Sequence, residues 1–123
     1  LFFCILAQIE RYCSMAVIHN GGLVAGTLFH SWQPDSGVIE LTSASTDRRW
    51  LTKTVVKAMF HMAFAMIGAQ LVALRVSEKN TGMAEIAQRF GFQGTLIPRL
   101  RGRTESEWIF TLTDDDWRAS RWS

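Results

Sequence analysis

Residues 37–68 read GVIELTSASTDRRWLTKTVVKAMFHMAFAMIG. Gly37 opens a β-rich run through Val38, Ile39, Leu41 and Thr42, and the polar residues Ser43 to Asp47 break it. Arg48 and Arg49 follow, and from Trp50 the apolar residues recur at helical spacing up to Gly68. The order is therefore strand, arginine-bearing loop and long helix. A loop that feeds a helix N-terminus presents unpaired backbone N–H groups, and the helix dipole favours an anion there. Two arginines in that loop point to a phosphate-bearing ligand, although the bland reading, a solvated pair at a helix start, stays open.

The helix has Leu51, Val55, Met59, Met62 and Met66 on one face, with Val56, Phe60, Ala63, Phe64 and Ile67 filling most of the others. A helix apolar on so many sides packs across a sheet. Gly68 is its expected C-terminal cap. The segment Leu71–Val76 reads as a buried strand, and the preceding helix makes it parallel to Val38–Thr42.

Upstream, Leu1 to Tyr12 has Phe2, Ile5, Ile9 and Tyr12 at near-helical spacing and predicts a short helix. Ser14–Ile18 and Leu23–Ser31 read as strands joined by the turn His19-Asn20-Gly21-Gly22. A second turn, Gln33 to Gly37, leads into Val38–Thr42 and completes an antiparallel meander. Downstream, Asn80-Thr81-Gly82 opens a second helix with Met83, Ile86, Ala87 and Phe90 inward and Gly91 as its stop. Thr95–Leu100 and Trp108–Leu112 predict a closing hairpin, and Thr113 with Asp114, Asp115 and Asp116 predicts the capped start of a last short helix.

Length and composition narrow the class. The chain of 123 residues, 48% hydrophobic, reads as one domain spanning 1–123. A net charge of +2 gives no strong pull on nucleic acid or membrane. Ten of the thirteen basic residues are arginines, and Arg99, Arg101 and Arg103 alternate as they would along one strand face. They are expected to pair with Glu105 and Glu107 across the hairpin, the alternative being an acidic substrate or nucleic acid. Cys4 and Cys13 have no CxxC or Cys/His companion, which predicts reduced thiols and a cytoplasmic protein. The apolar start LFFCILAQI lacks a basic flank and a cleavage site, so no signal peptide is expected. Without an initiating Met the chain reads as a fragment or trimmed product. The run Val55–Ile67, interrupted by Lys57 and His61, is too short for a bilayer. The three histidines share no ligand spacing, and the three aspartates are explained by capping, so no metal is expected.

The order of elements resembles the GNAT acetyltransferases, especially the branch similar to ribosomal-protein and antibiotic N-acetyltransferases. The resemblance rests on DRRWLTKTVVKAMFHMAF, on the Leu71–Ser77 strand followed by Glu78-Lys79-Asn80-Thr81, and on the helix closing with Arg89-Phe90-Gly91-Phe92. It covers the chain from about Ser14 onward, without the first strand and first helix such proteins usually carry. It implies an α/β fold with a mixed sheet that splays between Val38–Thr42 and Leu71–Val76 and is flanked by helices. It also implies acetyl-coenzyme A in that opening as co-substrate, with its pyrophosphate on the loop before the long helix. Asp47, Trp50 and Thr52 stand on the three defining positions of the family's Gln/Arg-x-x-Gly-x-Gly/Ala loop, and all three depart from it.

The site expected from the resemblance places Leu41, Thr42, Ser43, Arg48, Arg49, Trp50, Leu51, Thr52 and Asn80 against the coenzyme. Backbone N–H groups of Val38–Thr42 would polarise the thioester carbonyl. Trp50 reads as a core anchor or a groove wall, and Thr52 and Ser43 as hydroxyl donors. Glu40 is either a solvent-facing residue of the strand or a partly buried base. Asn80 reads as a helix N-cap, as a polar residue near the coenzyme arm, or as both. The tyrosine often found in this helix as general acid is replaced by Ala87. Transfer to a primary amine would proceed by direct attack in a ternary complex, since no cysteine is placed as a nucleophile. The expected partner is a small-molecule or protein amine acceptor, with a homodimer as one allowed assembly. The alternative is a catalytically inactive GNAT-like binding or assembly module.

Overall fold

The computed structural model describes residues 2–9, 12–47 and 49–123. Seven strands form one sheet: β1 (Phe2–Ile9), β2 (Tyr12–His19), β3 (Gly22–Gln33), β4 (Val38–Ser45), β5 (Leu71–Ser77), β6 (Gln93–Ile97) and β7 (Glu107–Thr113). Their order is β1-β2-β3-β4-β5-β7-β6. All neighbours run antiparallel except β4 and β5, which are parallel because a helix connects them. The mixed α/β fold and the parallel pair agree with the sequence.

The expected N-terminal helix is a strand instead. Residues 2–9 pair in register with β2, from Phe2 opposite His19 to Ile9 opposite Tyr12. A short, mostly apolar run carries no decisive period, and the free edge of β2 decides between the two forms. Asn20 and Gly21, with φ of 52° and 78°, form the tight turn between β2 and β3.

The long helix begins later than Trp50. Helix α1 is Lys53–Phe60, capped by the Thr52 hydroxyl, which accepts from the Val55 N–H at 3.3 Å. It then continues as a wider π-wound segment, His61–Ile67, ending at Gly68 with φ of 88°. Three consecutive residues, Met62, Ala63 and Phe64, are buried there, whereas Met66 is 58% exposed and does not share the expected apolar face. Phe60 meets Phe64, Phe90 and Phe92 at ring-centroid distances of 6.0–6.3 Å, and Phe64 stacks on Trp117 at 5.0 Å. These rings join the long helix to α2 (Thr81–Arg89) and α3 (Asp114–Ala119).

The sheet face beneath the long helix is the core, with Met15, Val17, Ala25, Phe29, Ile39, Leu41, Val72 and Phe110 buried. Hydrophobic burial of this kind is the dominant stabilising term. Thr27 is buried among them, its hydroxyl 2.9 Å from that of Ser43.

At the far edge, β6 ends at Ile97, so Arg99, Arg101 and Arg103 lie in the following turn and share no strand face. Pro98 follows Ile97 directly and has no N–H to continue the ladder. The expected pairing holds for Arg101, which contacts Glu105 at 3.4 Å and the buried Glu107 at 2.8 Å. Arg75 reaches the other oxygen of Glu107 at 2.6 Å. Thr113 caps α3, and Arg118 pairs with Asp114 and Asp115 within it.

Candidate active site

Strands β4 and β5 pair over only four positions, from Val38 opposite Leu71 to Leu41 opposite Leu74. Beyond Leu41, Thr42 to Ser45 keep their partners on β3 and have none on β5. The sheet therefore opens at this point and leaves one backbone edge of β4 unpaired. The opening is closed on one side by α1 and α2. Leu41, Ser43 and Leu74 from the strands, Val56 and Phe60 from α1, and Met83 and Phe90 from α2 line a narrow cavity of about 30 Å³. It adjoins a wider groove of about 850 Å³ that also borders Ser45, Asn80, Arg89 and Trp122, with Trp50, Leu51, Met83 and Phe90 common to both.

Alternation along β4 divides the expected site residues. Leu41 and Ser43 face the cavity. Glu40 and Thr42 face the other side of the sheet, away from α1 and α2. Glu40 is half-buried beside Ala73 on β5 and His30 on β3, one position before the opening. Thr42 is exposed and its hydroxyl lies 2.7 Å from His30 Nε2, while His30 Nδ1 lies 3.0 Å from the Ser31 hydroxyl. The Thr42 side chain is thus turned from the cavity that the sequence placed it in, and only its backbone borders the opening. The neighbourhood of His30, Glu40 and Thr42 is a cross-strand arrangement, and it becomes visible only once the β3–β4 register is known.

The loop before α1 differs from a free arginine pair. Arg48 lies outside the described residues. The Arg49 side chain is 81% exposed, but its Nε reaches Asp47 Oδ1 at 3.3 Å. The Arg49 backbone N–H donates to the same oxygen at 2.8 Å. The Arg49 side-chain bond, followed by its backbone bond, holds the Asp47 carboxyl below the usual carboxylate range. Asp47 in turn raises Arg49. Trp50 is 7% exposed, so it anchors the loop in the core, and it also lines the cavity. Leu51 is half-buried at the cavity mouth. Thr52 spends a hydroxyl lone pair on its N-cap. The N–H groups of Lys53 and Thr54, the first helical residues, have no carbonyl to reach within the helix.

Asn80 is the N-cap of α2, its Oδ1 accepting from the Met83 N–H at 3.2 Å, and it also borders the groove. Ala87 is fully buried under Phe60 and Phe92 and offers no proton donor.

No family model and no curated protein sequence matches this chain. Solved structures do. A chimera of the spermidine N-acetyltransferase SpeG from Vibrio cholerae and hSSAT aligns with a TM-score of 0.78 at 10% identity, covering 90% of this chain and 73% of that one. A second SpeG–hSSAT chimera reaches 0.79 at 10% identity, with 90% and 70% covered. A protein described as a probable acetyltransferase aligns at 0.74 and 14% identity, with 87% of this chain and 64% of that chain covered. At these identities the likeness is one of fold, and the fold is that of the GNAT acetyltransferases.

Proposed function

We propose that the chain is an N-acetyltransferase that moves an acetyl group from acetyl-coenzyme A to a primary amine. The observation that carries the proposal is the opening between β4 and β5, where the unpaired edge of β4 beyond Leu41 borders an apolar cavity lined by α1 and α2. The residues present suit an extended amide-bearing thioester. The free β4 edge offers N–H and C=O groups to the amides, Leu41, Leu74 and Met83 offer apolar walls, and the Lys53 and Thr54 N–H groups face outward for a phosphate. The cavity is narrow, and Met83 is the lining side chain best suited to yield. When bound, acetyl-coenzyme A supplies an activated acyl group.

In this reading the β4 N–H groups beside Leu41 polarise the thioester carbonyl. The acceptor amine approaches from the opposite sheet face, where Glu40 takes the ammonium proton directly or through water. The same carboxylate favours a cationic acceptor, in keeping with neighbours that are described as spermidine N-acetyltransferases. Deacylation through a cysteine plays no part, since Cys13 lies two strands away on β2.

One observation favours the second reading, an inactive binding or assembly module. Asp47 occupies Arg49 and puts a carboxylate in the loop that should receive pyrophosphate. Thermal unfolding with and without acetyl-coenzyme A separates the readings, followed by a thiol-release assay with spermidine and simple primary amines. A ligand at a hundred times its Kd stabilises by about 2.7 kcal/mol and moves the midpoint by several degrees. A shift with thiol release supports transfer, a shift without release supports the binding module, and no shift at millimolar ligand removes the coenzyme.

A further inference from the structure

The groove that adjoins the cavity carries positive charge from two arginines. Arg89, in the last turn of α2, and Arg121, beyond α3, both line it. None of the residues lining it is acidic, and among the described residues no carboxylate pairs with either guanidinium. Arg121 is not loosely placed. It lies 4.7 Å over the centroid of the Trp122 ring, and Trp122 packs edge-on against Phe90 at 4.9 Å. The Trp122 carbonyl also accepts from Trp117 Nε1 at 3.3 Å, and its N–H donates to the Ser120 hydroxyl. A cation held over an indole keeps its in-plane N–H donors free for an anion. The helix dipole accounts for a cation at position 89, but it does not account for a second arginine converging on the same groove from the C-terminal segment.

The loop before α1 is different. Arg49 is held by Asp47, and Thr52 is used as a cap. Among the described residues that line the groove, the charged ones are Arg89 and Arg121. We infer that these two arginines form a second anion subsite, one that takes the phosphorylated adenosine end of coenzyme A. The inference rests on the reading of the opening as a coenzyme site and assigns affinity to a part of the ligand distant from the reacting atoms. Two guanidinium groups converging on one phosphate suit a doubly charged phosphomonoester better than a carboxylate.

Calorimetric titration of coenzyme A and of dephospho-coenzyme A, which lacks only the 3′-phosphate, tests it on the wild-type chain and on R89A/R121A. The wild type should bind coenzyme A on the order of tenfold more tightly than the dephospho form. R89A/R121A should bind both forms alike, near the wild-type affinity for the dephospho form, with an unchanged unfolding temperature. R89K/R121K should restore part of the difference, and raising salt should shrink it in the wild type. Equal wild-type affinities, or a ratio that survives in R89A/R121A, would overturn the subsite while leaving the coenzyme reading intact. Failure of the wild type to bind either form would overturn both.

Discussion

The Asp47 carboxylate accepts three hydrogen bonds from Arg49, from the backbone N–H at 2.8 Å and Nε at 3.3 Å on Oδ1 and from Nη2 at 3.3 Å on Oδ2. The pairing holds the Asp47 carboxyl below its ordinary range and places a negative charge where the loop enters α1, the end of the helix that an anion favours. Arg49 thus arrives at the expected phosphate position with its charge already answered.

Asp47→Asn should tighten binding of acetyl-coenzyme A, since it removes a repelling charge and releases Arg49. For an exposed pair the gain is roughly twofold to fivefold. Calorimetry on this variant and on Arg49→Ala measures it. If neither variant changes affinity, the loop arginine does not contact phosphate.

Glu40→Gln keeps the size of the side chain and removes its basicity. Turnover should fall by about two orders of magnitude or more, with coenzyme affinity unchanged because Glu40 faces away from the cavity. Loss of affinity in step with turnover would place Glu40 against the coenzyme. Activity equal to wild type across pH would end its role as base.

Gly94 lies on β6 under an aromatic pair. A Cβ there would come within 2.5 Å of the Phe110 ring, and Phe110 is fully buried and stacked on Trp108 at 5.5 Å. Gly94→Ala should cost about 1–3 kcal/mol through forced repacking, a drop of several degrees in Tm. A variant of wild-type stability would show that β6 shifts freely.

Glu107 is 2% exposed and accepts from Arg75 on one oxygen and Arg101 on the other. Glu107→Ala leaves two half-exposed guanidinium groups without their shared anion. Because both can turn to water, the expected cost is about 2 kcal/mol, below that of breaking a fully buried pair. Denaturant unfolding of Glu107→Ala beside Arg75→Ala and Arg101→Ala, each expected to cost less, checks the order.

Glu105 titrates below its ordinary range, chiefly because the Ser77 hydroxyl donates to it and then because Lys79 does. Its folded pKa is depressed, so its contribution to stability is present above about pH 4.3 and is lost as pH falls through the folded value. Ser77→Ala should therefore lower Tm more at pH 6 than at pH 3. A Tm difference independent of pH would mean that the serine acts by packing alone.

Much of the architecture was legible in the sequence because local signals and the fold agree there. Asn20-Gly21 forms its hairpin turn, Gly68 ends the long helix, Asn80 and Thr113 cap the helices they precede, and the connecting helix makes β5 parallel to β4. The first strand was misread, since the near-helical spacing of Phe2, Ile5 and Ile9 is overridden by pairing with β2. Arg99, Arg101 and Arg103 misled for a related reason, because alternation has meaning only where the strand continues, and β6 stops at Ile97.

From β2 onward the sequence by itself determined the order of strands and helices, the loop between β4 and α1, and the residue types available to it. Those depend on turn chemistry, capping and periodicity within a few residues. Only the tertiary structure decided which face each side chain took and which charges met. Glu40 and Ser43 lie three positions apart on one strand, yet pleating sends Ser43 to the cavity and Glu40 to the opposite face beside His30. Arg89 and Arg121 lie far apart in the chain, and packing of Trp122 on Phe90 brings them to one groove. Contacts of that kind depend on distances that no local pattern encodes.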